Sequence, residues 1–211
     1  MIPIIDLFAG PGGLSEGFSS VFHNGRPFFD VRLSIEKDPA AHKTLEFRSF
    51  YRQFLKNGKA VPNEYYDVLR EKDAAEREKK RIAILLKYPE GREAMDEAQC
   101  LELGETTRSK TDDLIKKALG VNHKGNWVLI GGPPCQAYSL VGRSRVGGIR
   151  EDDHRVYLYK EYLRIIANHQ PAVFVMENVK GLLSATLKED RLFDKILNDL
   201  QHPASVFKRS D

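Results

Sequence analysis

A strand, a glycine-rich turn and a helix follow one another at the start of the chain, and this order restricts the fold more than any other feature. Residues 2–8 are a mostly apolar run of strand length, with glycines at positions 10, 12 and 13 after it. From Leu14 to Phe22 the apolar residues recur at helical spacing. This order is typical of the phosphate- or nucleoside-binding start of a doubly wound α/β fold, although the glycines depart from the dinucleotide GxGxxG spacing.

Later apolar runs of strand length predict further buried strands of the same sheet. They occupy residues 28–35, 126–130, 172–176 and, at its start only, 204–207. Glu36 follows the second strand, at the carboxyl edge where a carboxylate can accept the ribose hydroxyls of a nucleoside. With helices predicted at 157–168 and 189–200, the chain is α/β with a doubly wound sheet.

Residues 45–120 differ in character from the rest of the chain. Charges of both signs alternate there, and helical patterns recur between breaks at Pro62, 89–91 and Gly104. We interpret this segment as a helical insertion whose charge runs are solvated helix faces. A third strand is expected near its end, although the pattern defines no position for it.

Composition sets outer limits on the function. With 211 residues, 41% hydrophobic, the chain is long enough for one domain with a substantial core. A net charge of +3 permits a nucleic-acid partner without requiring one. Two cysteines are too few for a disulfide framework, and no stretch approaches the ~20 apolar residues of a membrane span. We therefore expect a cytoplasmic protein with no membrane partner, and no pattern indicates a metal site.

A cysteine lies just beyond the strand predicted at 126–130. Two glycines let the backbone turn after that strand, and Pro133 and Pro134 stiffen it before Cys135. A thiol held rigidly at the ligand-binding edge is typical of a nucleophile, and a packed structural cysteine is the alternative. Residues 141–150 then form a loop rich in glycine and arginine, which suits phosphate contact or insertion into a groove if it is not an ordinary surface loop.

Glu177 also emerges from an apolar run, the strand predicted at 172–176. Poor solvation at such a position would raise the pKa of its carboxyl group and suit it to donate a proton near neutrality.

Three stretches of the chain together resemble the DNA cytosine-5 methyltransferases. Residues 6–13, 132–136 and 177–179 resemble motifs one, four and six of that family. The resemblance implies a Rossmann-like, S-adenosylmethionine-dependent methyltransferase fold. It also implies methyl transfer to carbon 5 of cytosine in double-stranded DNA, with the target base flipped out of the helix, most often in a restriction–modification context.

The same resemblance assigns roles to individual residues. Cys135 adds to carbon 6 of cytosine, Glu177 protonates ring nitrogen 3, and Asn178 orients the loop and the glutamate. The residues assigned to S-adenosylmethionine are Asp6, Phe8, Ala9, Gly10, Gly12, Gly13, Leu14, Glu36, Asp113 and Pro134. Those assigned to DNA contact on the loop are Gln136, Ser139, Arg143 and Arg145.

Within the cofactor set, the resemblance places Phe8 against the adenine ring and Glu36 on the ribose. An aspartate holds the adenine amine in the family, and Asp113 is preferred here over Asp112. Lys37 stands where the family often has an aromatic residue, so the second adenine-stacking face is not accounted for.

The later motifs of the family have no counterpart in these residues. An arginine-bearing motif, a target-recognition domain and a final motif beside the cofactor are absent before Asp211. The chain thus resembles an amino-terminal catalytic portion, residues 1–211, with a sheet that is incomplete at its carboxyl end. We expect this portion alone not to methylate DNA, and to need a carboxyl-terminal recognition part in the same chain or in a second one.

Three other functions are compatible with parts of the pattern. Cytosine-5 methylation of transfer RNA uses the same chemistry on the same scaffold. A non-catalytic S-adenosylmethionine-binding subunit of a split enzyme would keep the glycine turn and lack turnover. A nucleotide-dependent dehydrogenase would explain the turn and Glu36, but it leaves Cys135 and Glu177 without a role.

Overall fold

The computed structural model describes residues 1–120, 123–133, 158–178, 182, 186–187 and 190–206. The chain divides into two compact units, Met1–Glu102 and Leu103–Asp211. Both units combine parallel strands with helices. The α/β class predicted from the sequence is therefore confirmed, and the fold is consistent with a Rossmann-like methyltransferase.

The first unit contains a parallel sheet with the strand order β5-β4-β1. Its elements in chain order are β1 (Ile2–Leu7), α1 (Gly13–Ser19), β2 (Phe22–His23), β3 (Arg26–Pro27), β4 (Phe29–Glu36), α2 (Pro39–Lys56), α3 (Asn63–Arg70), α4 (Ala74–Lys87), α5 (Pro89–Glu97) and β5 (Ala98–Cys100). Ile4, Ile5 and Leu7 are completely buried, as expected for a strand with both faces of the sheet covered. The register sets Leu7 beside Ile35, so the turns after β1 and β4 lie at one edge of this sheet.

The third strand, which the sequence did not locate, is β5. It pairs in parallel with β4 and sets Cys100 beside Glu36. It lies inside the segment 45–120, which also holds most of α2, all of α3, α4 and α5, and the 3₁₀ turn and helix at 105–119. Helices α2 to α5 pack on a hydrophobic cluster of their own, formed by Phe47, Phe50, Phe54, Tyr65, Val68, Ile84, Leu85 and Ala94. Whether this segment is a separate inserted domain stays a prediction.

The second unit contains two parallel strands, β6 and β7, in register from Val128 beside Val173 to Gly131 beside Met176. After a 3₁₀ turn at Glu105–Thr107, its elements are α6 (Arg108–Leu119), β6 (Val128–Gly131), α7 (Tyr159–His169), β7 (Val173–Met176), β8 (Thr186–Leu187), β9 (Asp190–Arg191), α8 (Leu192–Gln201) and α9 (Pro203–Val206). The buried Tyr162 hydroxyl lies 3.2 Å from the Leu129 carbonyl and 2.9 Å from the Val175 carbonyl. These contacts fix α7 to both strands.

Three sequence predictions need correction. The first helix ends at Ser19 rather than at Phe22, because Asn24 and Gly25 adopt positive φ and fold β2 and β3 into a small hairpin. The strand predicted to begin at 204–207 is instead the helix α9, which starts with Pro203, a residue favoured at the first helical position. Phe207 itself lies outside the described residues.

The third correction concerns β7, which was predicted to be buried. Val173, Phe174 and Val175 are 54%, 37% and 38% exposed. Their apolar character reflects strand propensity rather than burial within this chain.

None of the helices among the described residues is long and apolar enough to cross a membrane.

Candidate functional site

The turn after β1 has an unusual backbone. Phe8, Gly10 and Gly12 have φ values of 56°, 56° and 89°, in the left-handed region. Glycine adopts this conformation freely, whereas for a bulky residue such as Phe8 it costs about 1–3 kcal/mol. Backbone strain of this kind is concentrated at ligand-binding positions, and here it falls on the residue predicted to contact adenine.

Space above the turn is open where a ligand would lie. A Cβ atom added at Gly10 or Gly13 would meet no other atom within 4 Å. At Gly12, in contrast, it would lie 2.9 Å from Leu45 Cδ1 on α2, and the φ angle of 89° favours glycine at this position. The turn therefore leaves open space beside its backbone at Gly10 and Gly13, as the predicted S-adenosylmethionine site would require.

Glu36, the last residue of β4, holds the turn in place. The backbone N–H of Gly10 donates to Glu36 Oε2 at 2.8 Å, and the N–H of Asp38 donates to Oε1 at 2.7 Å. A carboxylate oxygen can accept more than one hydrogen bond, so Glu36 can hold the turn and still accept ribose hydroxyls. The side chain predicted to read the ribose is thus also a structural support of the glycine turn.

Asp6 lies beneath the turn and is completely buried. The hydroxyl of Ser15, on α1, donates to Asp6 Oδ2 at 2.5 Å, while Oδ1 is buried and has no hydrogen-bond partner in the structure. Burial raises the pKa of Asp6 to about 7, against the opposing effects of the Ser15 hydrogen bond and the Arg52 charge. Ser15 was not predicted as a site residue. The one sequence signal for it was its position two residues after Gly13, the last glycine of the turn.

The end of the third strand supplies a further acidic side chain that sequence reasoning missed. Glu102 follows β5 by two residues, and its Oε1 lies 3.0 Å from the Lys37 ammonium. Glu102 could be recognised only once β5 was located.

Asp112 and Asp113, considered for the adenine amine, both lie within α6 rather than at a strand end. Asp112 pairs with Arg164 at 2.9 Å and with His169 at 2.9 Å. Burial opposes its ionisation, but the hydrogen bonds from His169 and Arg164 outweigh burial and lower its pKa. Asp112 is therefore a structural link between α6 and α7, whereas Asp113 is exposed.

In the second unit, the parallel strands bring Glu177 to the backbone that leads toward Cys135. The Glu177 N–H donates to the Gly131 carbonyl at 2.9 Å. A Cβ atom added at Gly132 would lie 2.9 Å from Glu177 Oε2. The Glu177 carboxylate therefore lies close to the backbone of Gly132, which has no side chain to occupy that space.

The prediction that the Glu177 carboxyl is poorly solvated is wrong. Its side chain is exposed, like the three strand residues before Met176. Nothing that packs against β7 in the described residues withdraws this carboxyl from water. Asn178, the next residue, is half-buried.

The remaining predicted residues lie outside the described part of the chain. They are Pro134, Cys135, Gln136, Ser139, Arg143 and Arg145. The other cysteine, Cys100, is exposed at the end of β5. Among the described residues, no cluster of three or more His, Cys, Asp or Glu side chains could hold a metal ion.

Comparison with known families gives a match that includes this second-unit site. Residues 105–203 match the family model for C-5 cytosine-specific DNA methylase. That span contains both Cys135 and Glu177.

Curated relatives match most of the chain. Type II methyltransferase M.Bpa9945I of Bacillus paralicheniformis is 37% identical over 203 residues, which cover 92% of this chain and 43% of the relative. Type II methyltransferase M1.HphI of Haemophilus parahaemolyticus is 31% identical over 85% of this chain and 33% of the relative. Type II methyltransferase M.AquIA of a Picosynechococcus species is 27% identical over 95% of this chain and 56% of the relative. The chain thus spans between a third and somewhat over half of these relatives.

Proposed function

Because this chain belongs to the C-5 cytosine-specific DNA methylase family, we propose that it carries the cofactor site and catalytic centre for methylating carbon 5 of cytosine in DNA. The observation that supports this most directly is the approach of Glu177 to Gly132, since it joins two family motifs at the ends of paired parallel strands. The Type II methyltransferase names of the relatives favour a restriction–modification context. The cytoplasmic location stays a prediction.

The first unit is proposed to bind S-adenosylmethionine, which supplies the methyl group when bound. Phe8 contacts the adenine, Glu36 accepts the ribose hydroxyls, and the turn formed by residues 9–13 faces the amino-acid part. Asp6 and Leu14 support that turn from below and from α1, and Pro134 contributes from the loop. These roles accord with the strained backbone at Phe8 and with the open space at Gly10 and Gly13.

For the adenine amine, Glu102 is a stronger candidate than Asp113. Ligands bind outside the carboxyl ends of the strands in open α/β sheets, and Glu102 follows such a strand end whereas Asp113 lies within a helix. Glu102→Gln should weaken cofactor binding more than Asp113→Asn, as measured by calorimetric titration. The opposite order would return the role to Asp113.

The second unit is proposed to act on the base. The Cys135 thiolate adds to carbon 6 and forms a carbon–sulfur bond, while Glu177 delivers a proton to ring nitrogen 3, so that carbon 5 becomes nucleophilic. After carbon 5 has gained the methyl group, water takes the proton from carbon 5, the carbon–sulfur bond breaks so that the thiolate leaves, and the proton on ring nitrogen 3 returns to Glu177. Cysteine suits this sequence because it is both a strong nucleophile and a good leaving group.

Asn178 is proposed to orient the glutamate. The loop residues Gln136, Ser139, Arg143 and Arg145 are proposed to contact DNA around the extruded cytosine, whose removal from the stack costs a few kcal/mol. A recognition part in the same or another chain would supply the remaining contacts.

Transfer of a labelled methyl group tests this function. This chain, joined to the expected carboxyl-terminal recognition part or mixed with that part as a second chain, is incubated with methyl-labelled S-adenosylmethionine and duplex DNA, and the digested DNA is examined by mass spectrometry. We expect label in 5-methylcytosine, no transfer by Cys135→Ser, and nearly normal transfer by Cys100→Ser. DNA containing 5-fluorocytosine should form a covalent adduct at Cys135, because fluorine cannot leave as a proton does.

The same assay separates the alternatives. Label in transfer RNA alone would identify an RNA methyltransferase, and cofactor binding without transfer to either nucleic acid would indicate a non-catalytic subunit. An adduct at Cys100 would contradict the proposed mechanism.

A further inference from the structure

In the glycine turn, the backbone N–H groups of residues 9, 10 and 12 already form hydrogen bonds within the protein. The N–H of Ala9 donates to the Ile35 carbonyl at 3.0 Å, that of Gly10 to Glu36 at 2.8 Å, and that of Gly12 to the Ala9 carbonyl at 2.9 Å. Pro11 has no N–H. Residues 9–12 therefore offer no free donor to an anionic group, even though the amino-acid part of the proposed cofactor carries a carboxylate.

A guanidinium group lies beside this turn. Arg48, on α2, donates from Nη1 to the Pro11 carbonyl at 2.9 Å. The side chain is half-buried, and its Cδ lies 3.9 Å from the position of a Cβ at Gly12. Arginine carries five N–H donors, so one hydrogen bond to a carbonyl leaves most of them available.

The charge of Arg48 is also uncompensated nearby. Within the described residues, no carboxylate forms an ion pair with it, whereas Arg52, one helical turn further along α2, pairs with both Glu16 and Glu97. Glu36, at the edge of the turn, is bound to backbone amides. A guanidinium without a carboxylate partner, beside residues 9–12 whose N–H groups are already bonded, supplies the donors and the positive charge that a carboxylate needs.

On this basis we propose that Arg48 is a specificity-determining residue that binds the carboxylate of the amino-acid part of the cofactor. The inference rests on the S-adenosylmethionine site proposed above. By holding the Pro11 carbonyl with one N–H and the carboxylate with others, Arg48 couples the position of the turn to the presence of the amino acid.

Two ligands that differ only in the amino-acid part test this inference. S-adenosylhomocysteine carries the carboxylate, and 5′-methylthioadenosine keeps the adenosine and the sulfur but lacks it. Binding of each to the wild-type chain and to Arg48→Met is measured by calorimetric titration. The variant should lose about tenfold to a hundredfold in affinity for S-adenosylhomocysteine, the range for a charge-assisted hydrogen bond, and little for 5′-methylthioadenosine.

Two further variants give this comparison its controls. Arg48→Lys keeps the charge and should recover part of the affinity for S-adenosylhomocysteine. Arg70→Met removes an arginine that is 75% exposed on α3 and should change neither affinity.

The outcomes separate this inference from the function on which it rests. Equal losses for both ligands with Arg48→Met would mean that the side chain only supports the turn, and no loss for either would mean that it has no role in binding. Both results overturn the inference and leave the cofactor site standing. Failure of the wild-type chain to bind either ligand at millimolar concentration would overturn the cofactor site together with the inference.

Discussion

Replacing Asp6 by Asn should change how the stability of this protein depends on pH. The carboxyl group is completely buried beneath the glycine turn, and burial raises its pKa from the usual 3.8 to about 7. Below pH 3.8 the folded and unfolded chains are both protonated, and Asp6 contributes no pH dependence. Between these values the unfolded chain loses a proton that the folded chain retains, so the free energy of unfolding falls as the pH rises.

The size of the effect follows from the shift. A difference of about 3 pKa units, at about 1.4 kcal/mol for each unit, amounts to about 4 kcal/mol of stability lost by pH 8. Asn keeps a carbonyl oxygen that can accept the Ser15 hydrogen bond, but it does not ionise. Between pH 3.5 and pH 8, the free energy of unfolding of Asp6→Asn should therefore rise by about 4 kcal/mol relative to that of the wild type, the order of magnitude that this pKa shift allows.

Urea denaturation followed by far-ultraviolet circular dichroism measures this difference at several pH values. Because other titrating groups are common to both proteins, they cancel in the comparison. Ser15→Ala provides a second variant, since loss of the hydrogen bond that lowers the pKa of Asp6 should extend the pH-dependent range upward. A difference between Asp6→Asn and wild type that stays constant from pH 3.5 to pH 8 would refute the reasoning.

Other substitutions test the packing and the two sites. Gly91→Ala should destabilise the protein by about 2 kcal/mol or more in urea denaturation, because the added Cβ would lie 1.8 Å from the Leu85 carbonyl oxygen. Gly17→Ala, which meets no atom within 4 Å inside α1, should instead stabilise it by up to about 1 kcal/mol, and equal effects would contradict this account. Glu36→Ala should weaken S-adenosylmethionine binding by roughly 1–3 kcal/mol in calorimetric titration, and unchanged affinity would exclude Glu36 from the site. Glu177→Gln should reduce methyl transfer far more than DNA binding, since the amide cannot deliver a proton, and a normal rate would assign proton donation to another group.

Much of the glycine turn could be predicted from local sequence alone. Positions 10, 12 and 13 marked the turn because glycine is the residue that adopts positive φ without strain, and φ is positive at Gly10 and Gly12. Glu36 was identified because the end of a parallel strand is defined by where its apolar run stops. In both cases the signal lies within a few residues of the site it defines.

Predictions that depended on distant partners were less successful. The apolar residues of β7 predicted a buried strand and a poorly solvated Glu177, but exposure depends on what packs against the strand, which its own sequence does not contain. The short strand β5 carried too few residues to show a period and is defined by its pairing with β4.

The sequence by itself indicated the family resemblance, the α/β class and the order in which glycine turn, cysteine and glutamate follow their strands, because each of these is encoded in contiguous residues. Only the tertiary structure decided which distant side chains act on those elements. Arg48 comes to the Pro11 carbonyl from 37 residues away, and Glu177 comes to Gly132 through the pairing of β6 with β7. The physical reason is that hydrogen bonds and close contacts depend on distances in space, and parallel strands and packed helices bring together residues whose separation along the chain carries no pattern.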